Sequence, residues 1–596
     1  MTQYSAMLKA LSPEARAAVD GVHYSPAVRE SGHPRNIAAG FATGVVCLLN
    51  PASVEPGDTA LAGELHRDAE ALLALQNDDG TIDAGNIATP PDTGFVMETL
   101  GTALIALRAV WPAAPPSEEL ATGGREPSEV SSDRLAEAVR SAAAAADRFM
   151  RRGAAALVTG GVHTPNHRWV VCSALAIAYR LYGEESYVRR IDEWLAEGID
   201  IDTDGQYCER SAGIYSAVSS GALLYVALLL DRPELLEPIR RNLEATLLLT
   251  QPDGRLETTA SRRQDQYTTN LTWGRYYLPL RVLAAIDRNV RFTSAARAIE
   301  RGTGHHGPGS PVSRHAIAPF AFPEASAPLP DVRAGALPTD FAVHLRNAGL
   351  YRERHGDVVL SVFGGHDRWP DGRVVPEVSG RSGNPTFLTF AAGSSSVRWV
   401  RLLPRFFRVG YLRPELRSCE EGRCTLGASA RVGYVQPLPP DRRRADGLYE
   451  LSTADGRFWS AIALDERELS NVQSVEMDIS VRMTGDRMEA RFDARATTSV
   501  PVCLEIALDP DSDLDETSWD SKHARASLRH GTSGIDLGLT RERPDAWVPS
   551  PNDYGDFEQG RRATERAMHG DRMPRTLYAS FLAPGSATLS ITGATR

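Results

Sequence analysis

Between about residue 35 and residue 300 the sequence alternates two kinds of helix, and few folds accept that alternation. Stretches 58–76, 133–151, 185–197 and 233–249 are amphipathic with a charged face, whereas 92–110, 166–182, 211–230 and 266–286 are apolar nearly all round. A helix with one wet face lies outside a fold, and one that is apolar on every side lies inside it. Outer and inner helices taken in turn and joined as hairpins make a double-layered α/α toroid. The connections that enter the inner helices are long (77–91, 152–165, 198–210 and 250–265), while two returns, near Gly183 and near Asp231, are a few residues. Long loops concentrate function. Every inner helix starts at the same rim, where free backbone amides and positive dipole ends converge and an anion is the natural guest.

After residue 302 the pattern changes. Residues 302–340 are rich in Gly, Pro, Ala and Ser, and His305 and His306 are expected to be solvated there; beyond them DVVLSVFG, PTFLTFAAG, RFWSAIALD, SVEMDISVRM and RMEARFDARA repeat with period two. Short strands separated by Gly, Pro and Asp turns predict an antiparallel β-sandwich. The expected organisation is an N-terminal incomplete (α/α) toroid over 1–302, a linker over 303–340, and a sandwich over 341–596 with a polar, loop-like stretch at 510–575. With 596 residues the chain is too long for one core, and its 42% hydrophobic and 24% charged residues are ordinary for a globular protein. A net charge of −11 argues against a nucleic-acid partner. No run of eighteen apolar residues is read, so no membrane partner is expected. The first twenty residues lack a basic start and a long apolar centre, which leads to an expectation of a cytoplasmic protein. The six cysteines are expected to be reduced and buried.

Four rim segments carry residues suited to a sugar acid. In 83–95, Asp92 and Thr93 fit a helix N-cap behind Pro90 and Pro91, while Asn86, Asp92 and Phe95 suit sugar hydroxyls and a ring. In the second, Asn166-His167-Arg168-Trp169 heads an inner helix with His163 nearby, and Trp169 offers a stacking platform. The third runs from Tyr207 through Arg210 to Tyr215, which stands a turn into its helix, either as core or with its hydroxyl leaning toward the rim. The fourth has Arg262 and Arg263 beside Asp265, with Trp273 following. These are either a cap with its ion pairs or a carboxylate clamp with a subsite wall. Asp-Gly pairs at 79–80, 204–205 and 253–254 read first as tight corners.

The order Asn166-His167, then Asp204-Gly205 and nine residues to Tyr215, resembles the heparinase II/III-like polysaccharide lyases. The resemblance implies a toroid-plus-sandwich enzyme that cleaves a uronic-acid-containing oligosaccharide or polysaccharide by β-elimination. It assigns neutralisation of the uronate carboxylate to Asn166 first and His167 second, and proton transfer to Tyr215. It also implies a histidine from the sandwich as partner of the tyrosine, for which His366 in FGGHDRWPDG (363–372) is the candidate. The chain departs from the pattern at Arg210-Ser211, where the lyases have His-Gly, at Gly213, where they have Gln, and at 380–393, which holds Asn384 where a His-x-Asp motif is frequent. No cofactor is required; some relatives carry a structural divalent metal in the sandwich, and no His and Asp cluster here demands one. Two other readings remain open from sequence. One is an inverting glycoside hydrolase using two of Asp92, Asp204, Glu209 and Asp265, carboxyls that would stand about 6.5–9.5 Å apart. The other is a non-catalytic carbohydrate-binding protein. The sequence leaves the oligomeric state open.

Overall fold

The computed structural model describes residues 8–9, 11–53, 58–112, 127–302, 312, 315–331, 337–368, 380–420, 422–454, 458–516, 518–519 and 524–595. Two compact units emerge: a helical one of Met1–Cys208, Ile214–Leu247 and Thr272–Leu337, and a sheet-rich one of Glu209–Gly213, Leu248–Leu271 and Pro338–Arg596.

In the helical unit the apolar helices are the buried layer. Pro90–Val110, Pro165–Tyr182 and Tyr215–Leu229 are buried on most sides, and each packs on the next. The amphipathic helix Glu185–Leu195 buries only Tyr187 and Ile191. Leu223 and Leu224 have no exposed surface, while Glu193 is exposed. Pro34–Leu49, which was not read as an inner helix from sequence, is one: eleven of its residues are buried and it packs against Pro90–Val110. Gly94 lies against Val170, Glu98 bonds Ser173, and Gly101 lies against Ile177. The near-constant offset means that these two inner helices run parallel and start at one rim. A Cβ at either glycine would push against its neighbour, so the small residues allow the close approach.

The Asp-Gly pairs are corners. Gly80 and Gly205 have φ of 89° and 80°, and a Cβ at either would collide with a backbone carbonyl of the next outer helix, Arg152 or Arg241. Pro90–Val110 is long and apolar enough to cross a membrane by length and composition, contrary to the sequence reading, but 67% of its apolar window is buried in the helical layer.

Three expectations about elements are corrected. The helix expected over 266–286 is broken into Gln264–Tyr267, Trp273–Tyr276 and Tyr277–Ile286. Its TTNLTW stretch is β-branched, and the Leu256 N–H bonds to the Leu271 carbonyl while the Thr258 hydroxyl donates to the Thr268 carbonyl, holding 268–271 in extended form. The helix expected from 211 starts at Tyr215, because Arg210 has φ 49° and Ser211 and Gly213 are tied to Asp265. The stretch 510–575, expected to be loop-like, contains strands Arg525–His530 and Ser533–Arg541 and the helix Gly555–His569.

Of the expected linker, His305 and His306 lie outside the described residues, as do 369–372 of the His366 segment. Residues 315–327 pack into the helical unit: the Phe322 ring meets Tyr225 edge-on at 5.1 Å, and Arg281 donates to the Ala327 carbonyl.

The sheet-rich unit has two eight-stranded antiparallel sheets. One runs, edge to edge, through Asp340–Leu345, Leu350–His355, Val358–Phe363, Leu388–Ala392, Ser395–Pro404, Val500–Leu508, Arg575–Ala583 and Pro544–Asp545. The other runs through Asp513–Asp515, Arg525–His530, Ser533–Arg541, Gly585–Thr595, Arg487–Ala496, Leu469–Thr484, Arg423–Val435 and Glu415–Glu420. Leu360, Phe390, Val400 and Leu504 of the first and Val481, Phe492, Leu537 and Leu589 of the second share one core. The second sheet alternates buried and exposed residues along Leu469–Thr484 and Arg487–Ala496, its outer face being charged and wet. The first is covered on both faces, since all ten residues of Ser395–Pro404 are buried. Its far face carries Arg352, Arg398 and Arg401, which bond to Glu257, to the Thr269 carbonyl and to Glu565 of the covering segments.

The cysteines divide. Cys419 and Cys424 stand directly opposite on adjacent strands and are joined by a disulfide, correcting the expectation of six thiols; Cys47, Cys172, Cys208 and Cys503 are free.

Candidate active site

The first rim segment begins a helix, with a different residue at the cap. Thr89 is the N-cap, its hydroxyl accepting from the Asp92 N–H at 3.3 Å, with Pro90 and Pro91 as the opening residues. Asp92 lies inside the first turn, buried, accepting from the Thr89 hydroxyl at 2.9 Å and paired with Arg35. Arg35 in turn lies 4.0 Å over the Phe95 ring, and Phe95 meets His167 edge-on at 6.1 Å. Asn86 is exposed in the loop before them. The sequence reading did not single out Arg35. The signal was present in HPRN, where a proline starts an apolar helix at Pro34.

The second segment opens Pro165–Tyr182 with Thr164 as N-cap, so Asn166 is not the cap. Asn166 is fully enclosed and donates from Nδ2 to the Thr164 hydroxyl at 3.2 Å. His167 follows, 8% exposed, with the exposed His163 ring at 4.7 Å. Arg168 is committed elsewhere, to Glu197 at 3.1 Å and Asp200 at 2.7 Å. Trp169 has no exposed surface and donates from its indole to Asp200. The expected sugar platform is therefore a core residue, and Arg168 is a tie to the following loop.

Tyr215 is the first residue of its helix, not a turn inside it, and is half-buried. Tyr207 is 1% exposed and shares a 3.2 Å hydrogen bond with Ser220; burial raises its phenol above the ordinary range. It packs the interior and offers nothing to a substrate. Trp273, 3% exposed, likewise lines the interior.

The remaining candidates belong to the sheet-rich unit. Arg210 donates to the Asn347 carbonyl. Arg262 holds Asp367 through two bonds of 3.0 and 2.7 Å. Burial pushes the Asp367 carboxyl up, but Arg262 and the Ser382 N–H hold it below its ordinary value. Arg263 is buried in an ion pair with Glu209. Asp265, with no exposed surface, accepts from Ser211 at 2.9 Å, from the Gly213 N–H at 3.1 Å and from Ser261; burial pushes its carboxyl up to about 6. Arg262, Arg263 and Asp265 are thus each engaged with a partner of their own. His366 bonds through Nε2 to the Asn384 carbonyl at 2.9 Å, which makes Nε2 the protonated nitrogen. Burial, then Arg413, lowers its pKa to about 3, so the ring is neutral near pH 7. Among the described residues no group of three or more His, Cys, Asp or Glu could hold a metal ion.

Two elements of this geometry bear on relatedness: parallel buried helices inside charged ones, and two packed antiparallel sheets. No family model matches the sequence, and no curated protein matches it. Among solved structures, the chondroitin AC lyase of Streptomyces coelicolor A3, determined in complex with chondroitin sulphate, is similar over 100% of this chain and 79% of that one, at 15% identity and a TM-score of 0.50. The chain has the toroid-plus-sandwich fold of a polysaccharide lyase. A mutant of heparan sulfate lyase HepC from Pedobacter heparinus matches over 94% of this chain and 76% of that one, at 11% identity and a TM-score of 0.42. Among the described residues at or beside the helix starts, Arg35, Phe95, His163, Arg168 and Tyr215 keep exposed or half-buried surface.

Proposed function

We propose that the protein is a lyase that cleaves a uronic-acid-containing oligosaccharide by β-elimination, with Tyr215 transferring the proton. The observation that carries this reading is the position of Tyr215. It opens a buried helix that packs directly on the helix opened by Asn166 and His167, and it keeps exposed surface where Tyr207, eight residues earlier, has none. The likeness in fold to a lyase solved with chondroitin sulphate supports an anionic glycan as the substrate class.

In the proposed reaction Tyr215, acting as the phenolate, takes the proton from C5 of the uronate, the C4–O bond breaks as the C4–C5 double bond forms, and the Tyr215 phenol returns that proton to the leaving oxygen. Negative charge builds on the carboxylate as C5 is deprotonated. Its stabilisation falls to His167 and the Asn166 amide, the electrostatic contribution that is usually largest. The exposed His163 borders His167, and the Arg35 guanidinium beside Phe95 supplies further positive character to an arriving carboxylate. His366, in the sheet-rich unit, is a neutral ring near pH 7. Of the carboxylates that a hydrolase could use, Asp92 pairs with Arg35, Glu209 pairs with Arg263 and Asp265 is enclosed among its donors, while Asp204 is half-buried in its loop.

Tyr215→Phe keeps the ring and removes the oxygen. Double-bond formation is expected to fall by roughly 10² to 10³ or more, the scale of one lost group acting on the transition state, with saccharide affinity within about tenfold. Tyr207→Phe is expected to keep turnover and lose about 1 kcal/mol of stability. Parental turnover in Tyr215→Phe would remove Tyr215 from the mechanism.

A further inference from the structure

A small cavity lies wholly within the sheet-rich unit, against the strand Ser395–Pro404 of the covered first sheet. Gln266 and Thr269 of the 248–271 segment, Arg398 and Arg401 of the strand, and Glu565 and His569 of the helix Gly555–His569 are among the residues that line it. It has room for a molecule the size of water and for little more. Gln266, Arg398 and His569 are only 4%, 7% and 6% exposed, so whatever their polar atoms meet must be inside.

The wall keeps hydrogen-bonding capacity that no described residue uses. Arg398 directs Nη1 to the Thr269 carbonyl at 3.1 Å and Nη2 to Asp509 at 2.7 Å, which leaves its Nε–H without a partner among the described residues. The Gln266 amide nitrogen donates to the Arg381 carbonyl at 3.1 Å. That bond fixes which end of the amide is nitrogen, so the unmatched atom is the oxygen, an acceptor. His569 has a partner among the described residues at neither ring nitrogen. Burial lowers its pKa, so near pH 7 the ring is neutral, with one N–H to donate and one lone pair to accept. The hydroxyl of the half-buried Thr269, also unmatched, serves either way. Folded proteins rarely leave such atoms without a partner, and ordered water is a common one.

We propose that this cavity is a binding site for water, in which one ordered molecule joins the 248–271 segment, the strand Ser395–Pro404 and the helix Gly555–His569. The chemistry of the wall selects this occupant over an ion. Its charges already cancel in pairs, Arg398 with Asp509 and Arg401 with Glu565, each at 2.7 Å. An anion would lie against the Gln266 oxygen and the imidazole lone pair, and a cation against two guanidiniums. Water donates twice and accepts twice, which suits a set holding one fixed donor, one fixed acceptor and two groups that serve either way. Buried waters typically make about three such bonds, and here each partner comes from a different piece of chain, so the water is a structural ligand that ties the covering segment and the helix to the sheet. This inference is independent of the lyase reading.

The test is a crystal structure of the full chain near pH 7 at a resolution that shows ordered solvent, with a second crystal soaked in sodium bromide, whose anomalous signal reports an anion. An oxygen is expected at about 2.7–3.2 Å from at least two of Arg398 Nε, Gln266 Oε1 and a His569 nitrogen, with no anomalous peak at its position. Gln266→Met and His569→Phe, made separately, each remove one partner, and in each the oxygen is expected to lose occupancy or to shift. If one variant fails to fold, the other decides. No density in the parent's cavity, an anomalous bromide peak there, or an oxygen equally occupied and unmoved in a folded variant would overturn the proposal.

Discussion

The helical and sheet-rich units hold their charges in opposite ways. At the helix starts Arg35 is 41% exposed while it pairs with Asp92, and Arg168 pairs with a Glu197 that is 52% exposed. At the covered first sheet of the sheet-rich unit several guanidiniums are interior: Arg263 with Glu209, Arg352 with Glu257, Arg398 with Asp509 and Arg401 with Glu565 are all ion pairs with both members buried. Burial alone would raise the Glu565 carboxyl, yet Arg401 and Arg561 hold it at about 2. The lesson is that a guanidinium beside a rim motif need not serve an anionic ligand. Helix starts present N–H groups that no residue of the helix can satisfy, whereas a sheet covered on both faces must satisfy every charge it encloses.

The largest effect should separate these two situations. Arg263→Ala leaves Glu209 as an uncompensated buried charge and is expected to cost roughly 3–5 kcal/mol in urea-induced unfolding. Arg35→Ala, at a partly exposed pair, should cost about 1 kcal/mol or less. Equal losses would erase the distinction.

The same contrast explains what the sequence made legible. Inner and outer helices follow from apolar periodicity, a property of neighbouring residues, and Leu223, Leu224 and Glu193 lie where the pattern puts them, while Leu228, expected buried, and Arg240, expected exposed, are both half-buried. Period two likewise announced the sheets. What the sequence concealed was partnership. Arg255 meets Asp509 across 254 positions and Arg262 meets Asp367 across 105, so whether Arg262 and Arg263 formed ion pairs or a clamp stayed open while their partners were out of view. Trp169 and Tyr207 illustrate the related difficulty that a ring near a motif looks the same whether it faces a pocket or a core. The broken helix after Gln264 was signalled by its threonines, which the apolar count overrode.

A smaller effect sharpens the account of Asp265. Its carboxyl is pushed from 3.8 to about 6 by burial, against the hydrogen bonds from Ser261 and Ser211. Between these values the folded protein binds a proton that the unfolded chain does not. The contribution therefore favours folding below about pH 4 and is lost as pH rises through 6, amounting to roughly 2 to 3 kcal/mol. Unfolding free energies at pH 4 and pH 7 should differ between the parent and Asp265→Asn by that amount, the parent losing more stability on going to pH 7. Identical pH dependence would mean that Asp265 ionises normally in the folded state.

The smallest effect concerns the hairpin disulfide. Closing so short a loop is worth about 2 kcal/mol or less, so reducing Cys419–Cys424 should lower the melting temperature slightly and leave turnover unchanged. Thiol titration of the denatured protein under non-reducing conditions should count four thiols, not six.

The most direct test of the central claim is to incubate the protein with a panel of uronate-bearing oligosaccharides and read ultraviolet absorbance and product mass together. Elimination predicts that absorbance rises as the new double bond forms and that the product masses sum to the mass of the substrate. Products whose masses sum to substrate plus water, with flat absorbance, would show hydrolysis, and saturable binding without any product would show a carbohydrate-binding protein; either result would contradict the lyase assignment.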